Sequence, residues 1–365
     1  MTTHAIIFGI TGQDGSHLAD LLLEKNYEVI GVARRSSTDN LSRIKHILNH
    51  PKFKVVEGDI TDSGSIANVF HNYEHVDEVY NLAAQSHVGT SFSQPLLTWD
   101  VTGKGCLNIL QYIKDYMPSA RFYQASSSEM FGKCYDVDEN GIKYQDENTR
   151  FMPQSPYAIA KCAAHNSVRL YRECYNLHAS CGILFNHEGP RRGDNFVTKK
   201  VINWVVDFIL WVNTNDVNMN HIEQDGNYIE YNDIVFPKLL LGNLDSYRDW
   251  GYAGDYVEAM WMMLQKDDAD DYVICTEKTH SIRDLLDASF RYFNIYDWSK
   301  LVGTDDRFYR PAEVDYLRGR STKARVKLEW KPKYDFNGLI KLMIEERLNE
   351  KLPNDDRHIK CLSSN

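Results

Sequence analysis

Thr3-His4-Ala5-Ile6-Ile7-Phe8-Gly9-Ile10-Thr11-Gly12-Gln13-Asp14-Gly15 opens the chain with a short apolar run, then a glycine at every third position. An apolar run bounded by glycine predicts a buried strand over Thr3 to Phe8. The glycines permit a tight turn and let the backbone approach a pyrophosphate, toward which the next helix presents its N-terminus. That helix is expected over His17 to Lys25. The segment therefore predicts a dinucleotide site, with Gly9, Thr11, Gly12, Gln13 and Asp14 against the bound molecule.

Outward from this unit, strand-like runs recur at Glu28 to Ala33, Lys54 to Glu57, Glu78 to Leu82, Arg121 to Ala125 and Ala179 to Phe185, with helical patterns between them. Such alternation predicts an α/β fold: a Rossmann-type doubly wound parallel sheet with ligands at the carboxyl ends of its strands. Beyond about residue 190 the pattern loosens. Helices are expected from Asp255 to Gln265 and from Ser281 to Phe293, while Asn213 to Asp233, rich in Asn and Asp, reads as a surface excursion. The division expected is a dinucleotide-binding domain over 1–190 and a smaller α/β domain over 191–365 that mainly binds substrate and returns some segments to the first.

Composition removes several function classes. A formal net charge of -10 argues against a nucleic-acid partner. The seven cysteines are dispersed with no C-x-x-C pair, which fits reduced thiols rather than a disulfide framework. The most apolar stretch, Val201 to Val212, contains Asn203 and Asp207 and is too short to span a bilayer, so no membrane partner is expected. The N-terminus runs directly into a strand without a signal-peptide pattern, and the expected location is the cytoplasm. The histidines show no ligand-like spacing, so no metal site is expected.

The loops after the strands refine the ligand. The second strand ends in Ala33-Arg34-Arg35-Ser36-Ser37, where an NAD site would usually place a carboxylate for the ribose 2′-hydroxyl. Arginines suit a 2′-phosphate, so Arg34, Arg35 and Ser36 point to NADP. Asp59 and Ile60 are placed to meet the adenine. Leu82, Ala83, Ala84 and Ser86 are placed to pass along the nicotinamide side.

Two further segments carry chemistry. Ser155-Pro156-Tyr157-Ala158-Ile159-Ala160-Lys161 sets a Tyr four residues before a Lys, so an ammonium sits near a phenol and eases its ionisation. Gln124-Ala125-Ser126-Ser127-Ser128-Glu129-Met130-Phe131-Gly132 adds hydroxyls and a lone carboxylate, a second acid/base site. Together they suggest removal of a hydroxyl proton while a nicotinamide takes the hydride, followed by a second reaction that uses Glu129.

With these residues in view, the chain resembles the extended short-chain dehydrogenase/reductase superfamily and, within it, the GDP-mannose 4,6-dehydratases. The likeness rests on Gly9 to Gly15, Asn81 to Val88, Ser126 to Gly132, Tyr157/Lys161, Gly182 to Glu188 and Pro190 to Gly193. It continues through Leu241 to Asp245, Arg248 to Gly251, Asp255 to Trp261 and Arg310 to Asp315. The resemblance implies loss of water from GDP-D-mannose to give GDP-4-keto-6-deoxy-D-mannose. Tyr157, aided by Lys161, would take the C4 hydroxyl proton as the hydride passes to NADP. The new ketone acidifies C5–H, Glu129 would remove that proton, Glu129 and Ser127 would help water leave C6, and the hydride would return to C6 as C5 is reprotonated. It also implies that His187 and Arg192 meet the cofactor, His187 near the nicotinamide amide. Ser86, Asn186, Lys200, Arg248, Arg310 and Glu313 would hold the GDP-sugar. A homodimer or homotetramer is implied, with the Arg34-Arg35-Ser36-Ser37 loop reaching a neighbouring subunit's cofactor.

Superfamily epimerases usually have only hydroxyls where Glu129 stands, and nucleotide-glucose dehydratases usually have an Asp-Glu pair where this chain has Ser128-Glu129. Departures from the mannose pattern are Ser127 for a common Thr, Arg150, Gln154, Gly189 for a usual Ser, and about 25 extra residues within Trp211 to Pro237. The competing readings are another nucleotide-sugar dehydratase, an epimerase, and a non-catalytic NADP-binding sensor.

Overall fold

The computed structural model describes residues 2–73, 75–309 and 311–352. These divide into two units. Among the described residues the first comprises 2–187, 249–278 and 317–333; the second comprises 188–248, 279–316 and 334–352.

The first unit is built on a seven-stranded sheet. Its strands are β1 (His4–Phe8), β2 (Glu28–Ala33), β3 (Phe53–Glu57), β4 (Glu78–Asn81), β5 (Arg121–Ser127), β6 (Ala179–Leu184) and β7 (Asp271–Ile274). They lie in the order β3-β2-β1-β4-β5-β6-β7, and every pairing is parallel. Side chains of a strand alternate between faces. Accordingly Ala5 and Ile7 of β1 join one buried cluster while Ile6 and Phe8 join another. Both clusters include helical residues, so the sheet is covered on both faces, as the near-continuous apolar runs require. The order reverses between β1 and β4, and the crevice at their carboxyl ends is where this architecture places ligands.

Helix α1 (Gln13–Glu24) begins four residues earlier than its apolar pattern suggests, because Gly12 serves as N-cap and Gly15 already lies inside the helix. Its buried Leu18 and Leu22 each stabilise the packing by about 1.5–3 kcal/mol. The helix stops at Asn26, whose φ of 69° is left-handed and whose N–H bonds to the Leu23 carbonyl. Helix α2 (Pro156–Tyr175) starts at a Ser-Pro pair. The Ser155 hydroxyl caps the Ala158 amide at 3.1 Å, and Pro156 takes the first-turn position that needs no N–H.

In the second unit, the apolar stretch 201–212 is part of a buried helix, Val197–Thr214. Helices Ile282–Arg291 and Phe336–Lys351 accompany it. The expected excursion at Asn213 to Asp233 is in fact mostly ordered structure. A three-stranded antiparallel meander runs through Glu223–Asp225, Tyr228–Tyr231 and Ile234–Pro237. Two-residue turns join its strands, one through Gly226 and the other through Asn232 and Asp233, whose φ values are all positive. Among the described residues no helix is long and apolar enough to cross a membrane.

Candidate active site

The turn after β1 is shaped by close backbone contact. Gly9 has φ +89°, and a Cβ there would lie 2.8 Å from the Ala83 nitrogen and 2.9 Å from the Leu82 carbonyl carbon. A Cβ on Gly15 would lie 2.3 Å from the Gly9 oxygen. The Gly12 amide closes the turn on the Gly9 carbonyl at 3.0 Å, and as N-cap it brings no side chain over the first amides of α1. The result is a glycine cradle with a helix N-terminus facing out of it, suited to an anionic pyrophosphate. Leu82, Ala83 and Ala84, after β4, line it partly buried; Ser86 is exposed.

Arg34, Arg35 and Ser36 leave the end of β2 exposed. Arg43, which the sequence reading missed, donates from Nη1 to the Thr11 carbonyl inside the glycine turn at 3.2 Å. It sits in a two-turn 3-10 helix, Ser42–Ile47, too short to give a clear periodic signal. After β3, Asp59 accepts hydrogen bonds from the Thr61 amide and hydroxyl at 2.9 and 2.7 Å, and the buried Ile60 accepts from Asn108 through its carbonyl.

The candidate reacting groups gather where β5 ends and α2 begins. Ser127 closes β5, and its hydroxyl accepts the Glu129 amide at 3.2 Å. Glu129 sits in the single helical turn Ser128–Met130, and both side chains are nearly buried. That turn is fixed by Gly132, at φ +56°, where a Cβ would lie 1.9 Å from the Met152 oxygen. On α2, Tyr157 and Lys161 are both buried. The Lys161 ammonium donates to the Ala125 carbonyl of β5 at 2.6 Å and lies 5.7 Å from the centre of the Tyr157 ring. Burial pushes its pKa down to about 8, since a charge in a poorly solvated site is costly. One helix thus carries a phenol and an ammonium, one strand end carries a hydroxyl and a carboxylate, and Lys161 binds the two elements together.

His187 lies beside the glycine turn. Its Nε2 is 2.8 Å from an Asp14 oxygen and its Nδ1 is 2.8 Å from the Phe185 carbonyl, while the ring stacks on Tyr256 at 4.8 Å. Gln13 braces the pair, donating to Asp14 and to the His187 carbonyl. In the sequence reading His187 faces a nicotinamide amide; here its Nε2 faces Asp14.

Of the expected substrate contacts, Asn186 lies in the first unit, whereas Lys200, Arg248 and Glu313 lie in the second; Arg310 lies outside the described residues. Lys200 donates to the Leu240 carbonyl at 2.7 Å and lies over the Phe308 ring, and burial lowers its pKa. Arg248 is buried and donates to the Tyr247 carbonyl. Arg192, also in the second unit, pairs with the buried Glu188 at 2.9 Å and covers the Phe196 ring. Lys200, Arg248 and Arg192 each have a partner within their own unit, which the sequence did not reveal.

The GDP-mannose 4,6-dehydratase family profile matches residues 6–235 and 234–343. GDP-mannose 4,6 dehydratase 1 of Arabidopsis thaliana is 44% identical over 354 residues, covering 94% of this chain and 89% of that protein. The human GDP-mannose 4,6 dehydratase is 42% identical over 364 residues, covering 93% of this chain and 90% of that protein. Among solved structures, a dTDP-glucose 4,6-dehydratase of Bacillus anthracis, determined with NAD, superposes with a TM-score of 0.75 at 19% identity. It covers 96% of this chain and 97% of that one, a likeness of fold.

Proposed function

The chain belongs to the GDP-mannose 4,6-dehydratase family, and from that premise we propose that it converts GDP-D-mannose to GDP-4-keto-6-deoxy-D-mannose with NADP as its cofactor. One observation carries the proposal: Ser127 and Glu129 at the end of β5 are tied to Tyr157 and Lys161 on α2 through the 2.6 Å Lys161–Ala125 hydrogen bond. An alcohol oxidation needs only the second pair; a dehydration needs both.

The cradle fits the cofactor, because Gly9 and Gly15 leave no space for a Cβ and Gly12 leaves the helix N-terminus uncovered. Gly9, Thr11, Gly12, Gln13 and Asp14 would hold the pyrophosphate side, with Asp59, Ile60, Leu82, Ala83, Ala84 and Ser86 along the rest. Arg34, Arg35 and Ser36 would meet the 2′-phosphate, and His187 and Arg192 complete the set. NADP bound there would supply a reversible two-electron acceptor for the C4 hydride, so no outside oxidant would be consumed. Tyr157 takes the C4 hydroxyl proton, and the Lys161 ammonium stabilises the phenolate. Glu129 takes the C5 proton made acidic by the ketone, Ser127 and Glu129 pass a proton to the departing C6 hydroxyl, and C5 is reprotonated as hydride returns to C6, which balances the proton that Tyr157 took. Ser86, Asn186, Lys200, Arg248, Arg310 and Glu313 are assigned to the nucleotide-sugar, with the second unit as mainly a substrate domain.

The assembly is taken as a homodimer or homotetramer. Supporting this, the helices Gly105–Tyr116 and Pro156–Tyr175 leave Leu107, Ile159 and Leu170 exposed. The six described cysteines are free thiols, which favours a reducing compartment such as the cytoplasm.

The test is mass spectrometry and NMR of purified protein given GDP-mannose, dTDP-glucose and UDP-N-acetylglucosamine separately, without added reductant. Loss of one water from GDP-mannose alone is the expected result. An isomer of unchanged mass would mean an epimerase, conversion of a different sugar would overturn the substrate, and no turnover would favour a sensor.

A further inference from the structure

Behind the proposed reacting groups, inside the first unit, lies a polar chain, buried at Ser126, His165 and Cys181 and partly buried at Arg172 and Asp271, that the proposed reaction does not use. Ser126 of β5, His165 and Arg172 of α2, Cys181 of β6 and Asp271 of β7 compose it. His165 Nδ1 is 3.0 Å from the Ser126 hydroxyl, and its Nε2 is 3.7 Å from an Asp271 oxygen. Arg172 holds both Asp271 oxygens at 2.9 Å, and the Cys181 amide donates to one of them. Phe151 closes the chain with an edge-on contact to the His165 ring at 5.2 Å.

The proton positions follow from the chemistry. Burial works against the Asp271 charge, but the Arg172 hydrogen bonds outweigh it and keep the carboxyl ionised. Burial lowers the His165 pKa, with Asp271 pulling the other way, and leaves the ring neutral. Burial also raises the Cys181 thiol well above its ordinary value, so it keeps its proton. A neutral imidazole facing a carboxylate puts its proton on Nε2, and Nδ1 is then an acceptor for the Ser126 hydroxyl. His165, Cys181 and Asp271 are near enough to gather a metal ion. Arg172 argues against that, since it occupies both carboxylate oxygens and would repel a cation.

Position gives the chain its use. Ser126 immediately precedes Ser127, and His165 lies one turn beyond Lys161 on the same helix. We propose that His165 is a positioning residue: through Ser126 it fixes the distance of Ser127 and Glu129 from Tyr157 and Lys161. The inference rests on the proposed dehydration, in which both pairs must address a single sugar ring. Tyr157 and Lys161 share one rigid helix, so loss of His165 leaves their mutual geometry intact. What shifts is their relation to the Ser127–Glu129 strand end, and a displacement of about 1 Å can cost about a hundredfold. Oxidation at C4 should therefore survive better than loss of water.

The experiment compares His165→Leu, His165→Asn and Ser126→Ala with the unaltered protein. His165→Leu should lower kcat about tenfold to a hundredfold with little change in the KM for GDP-mannose. Quenched single turnovers should then hold a sugar nucleotide two mass units lighter than substrate, oxidised at C4 and still bearing its C6 oxygen. His165→Asn keeps an acceptor near the Nδ1 position and should recover part of the rate. Ser126→Ala should repeat the loss and add little to His165→Leu. Independently of turnover, 15N NMR of the cofactor-free protein should find His165 neutral with its proton on Nε2, and Ser126→Ala should move the Nδ1 resonance. Should His165→Leu fail to fold, Ser126→Ala carries the kinetic test alone. Unchanged kcat, a lower Tm without the lighter intermediate, or full additivity of the two losses would overturn the positioning role. If even the unaltered protein leaves GDP-mannose intact, the functional reading is lost, whereas the NMR result still decides the His165–Ser126 hydrogen bond.

Discussion

The glycine turn at Gly9 to Gly15 and the meander from Glu223 to Pro237 both pass through positive φ, but for opposite reasons. At Gly9 the backbone presses on Leu82 and Ala83, so only glycine fits. In the meander, a Cβ on Gly226 would meet nothing within 4 Å, and Asn232 and Asp233 adopt φ of 49° and 64° with side chains of their own. One region is set by sterics at the proposed cofactor cradle. The other is a tight-turn ribbon attached by aromatic contact: Trp204 stacks on Phe208 at 5.0 Å, Phe236 meets both rings edge-on, and the Trp204 indole donates to the Pro237 carbonyl. The lesson is that left-handed backbone marks a working site only where something crowds it.

The difference has measurable consequences, greatest in the first unit. Glu129→Gln removes the proposed C5 base while keeping shape, and kcat should fall by about 10²–10⁴ with an unchanged Tm. A loss smaller than tenfold would assign the C5 proton to another group. Gly15→Ala comes next. Its Cβ would strike the Gly9 oxygen and the Ile10 Cα, so about 1–3 kcal/mol of stability should go together with most NADP affinity, read by calorimetry. Normal cofactor binding in that variant would break the contrast between the two regions.

Lys161 offers a subtler measurement. Its folded pKa near 8 lies below the ordinary lysine value of about 10.4. Between these values the unfolded chain holds more protons than the folded one, so this residue makes stability rise with pH from about 8 to 10.4. Below that window the cost of the buried ammonium is fully present. Denaturant titrations of cofactor-free protein should show the rise, and Lys161→Met should flatten it. An equal slope in both proteins would mean that the ammonium is better solvated than its burial implies.

The same contrast explains what could be read from sequence. The turn and the β5 and α2 segments were legible because their residue types are constrained at each position: Gly for close approach, a Ser-Pro helix start, Tyr four before Lys. The β7 strand, Asp271–Ile274, was missed because four residues after an acidic run carry no period. The meander was taken for an excursion because Asn and Asp were counted as loop formers. The informative detail was their placement, since Asn232-Asp233 between Tyr228–Tyr231 and Ile234–Pro237 is a two-residue hairpin turn. His165 and Arg43 were invisible for another reason. Ser126 is 39 residues from His165 and Thr11 is 32 from Arg43, and contacts of that range are set by tertiary packing alone.

Asp233→Gly gives the finest test of the comparison. Asp233 occupies the second central position of the hairpin turn, where glycine is preferred because it adopts positive φ without a Cβ penalty. Relief in the folded state is opposed by the greater freedom that glycine gives the unfolded chain. The net gain should therefore be small, about 0.5 kcal/mol, seen as a rise in Tm of about one degree with kcat and KM unchanged. The same logic predicts the opposite sign for an alanine at Gly9, where crowding and φ act together. A fall in turnover from Asp233→Gly would place the meander in the working part of the molecule, and its open left-handed turn could then no longer be read as mere ribbon geometry.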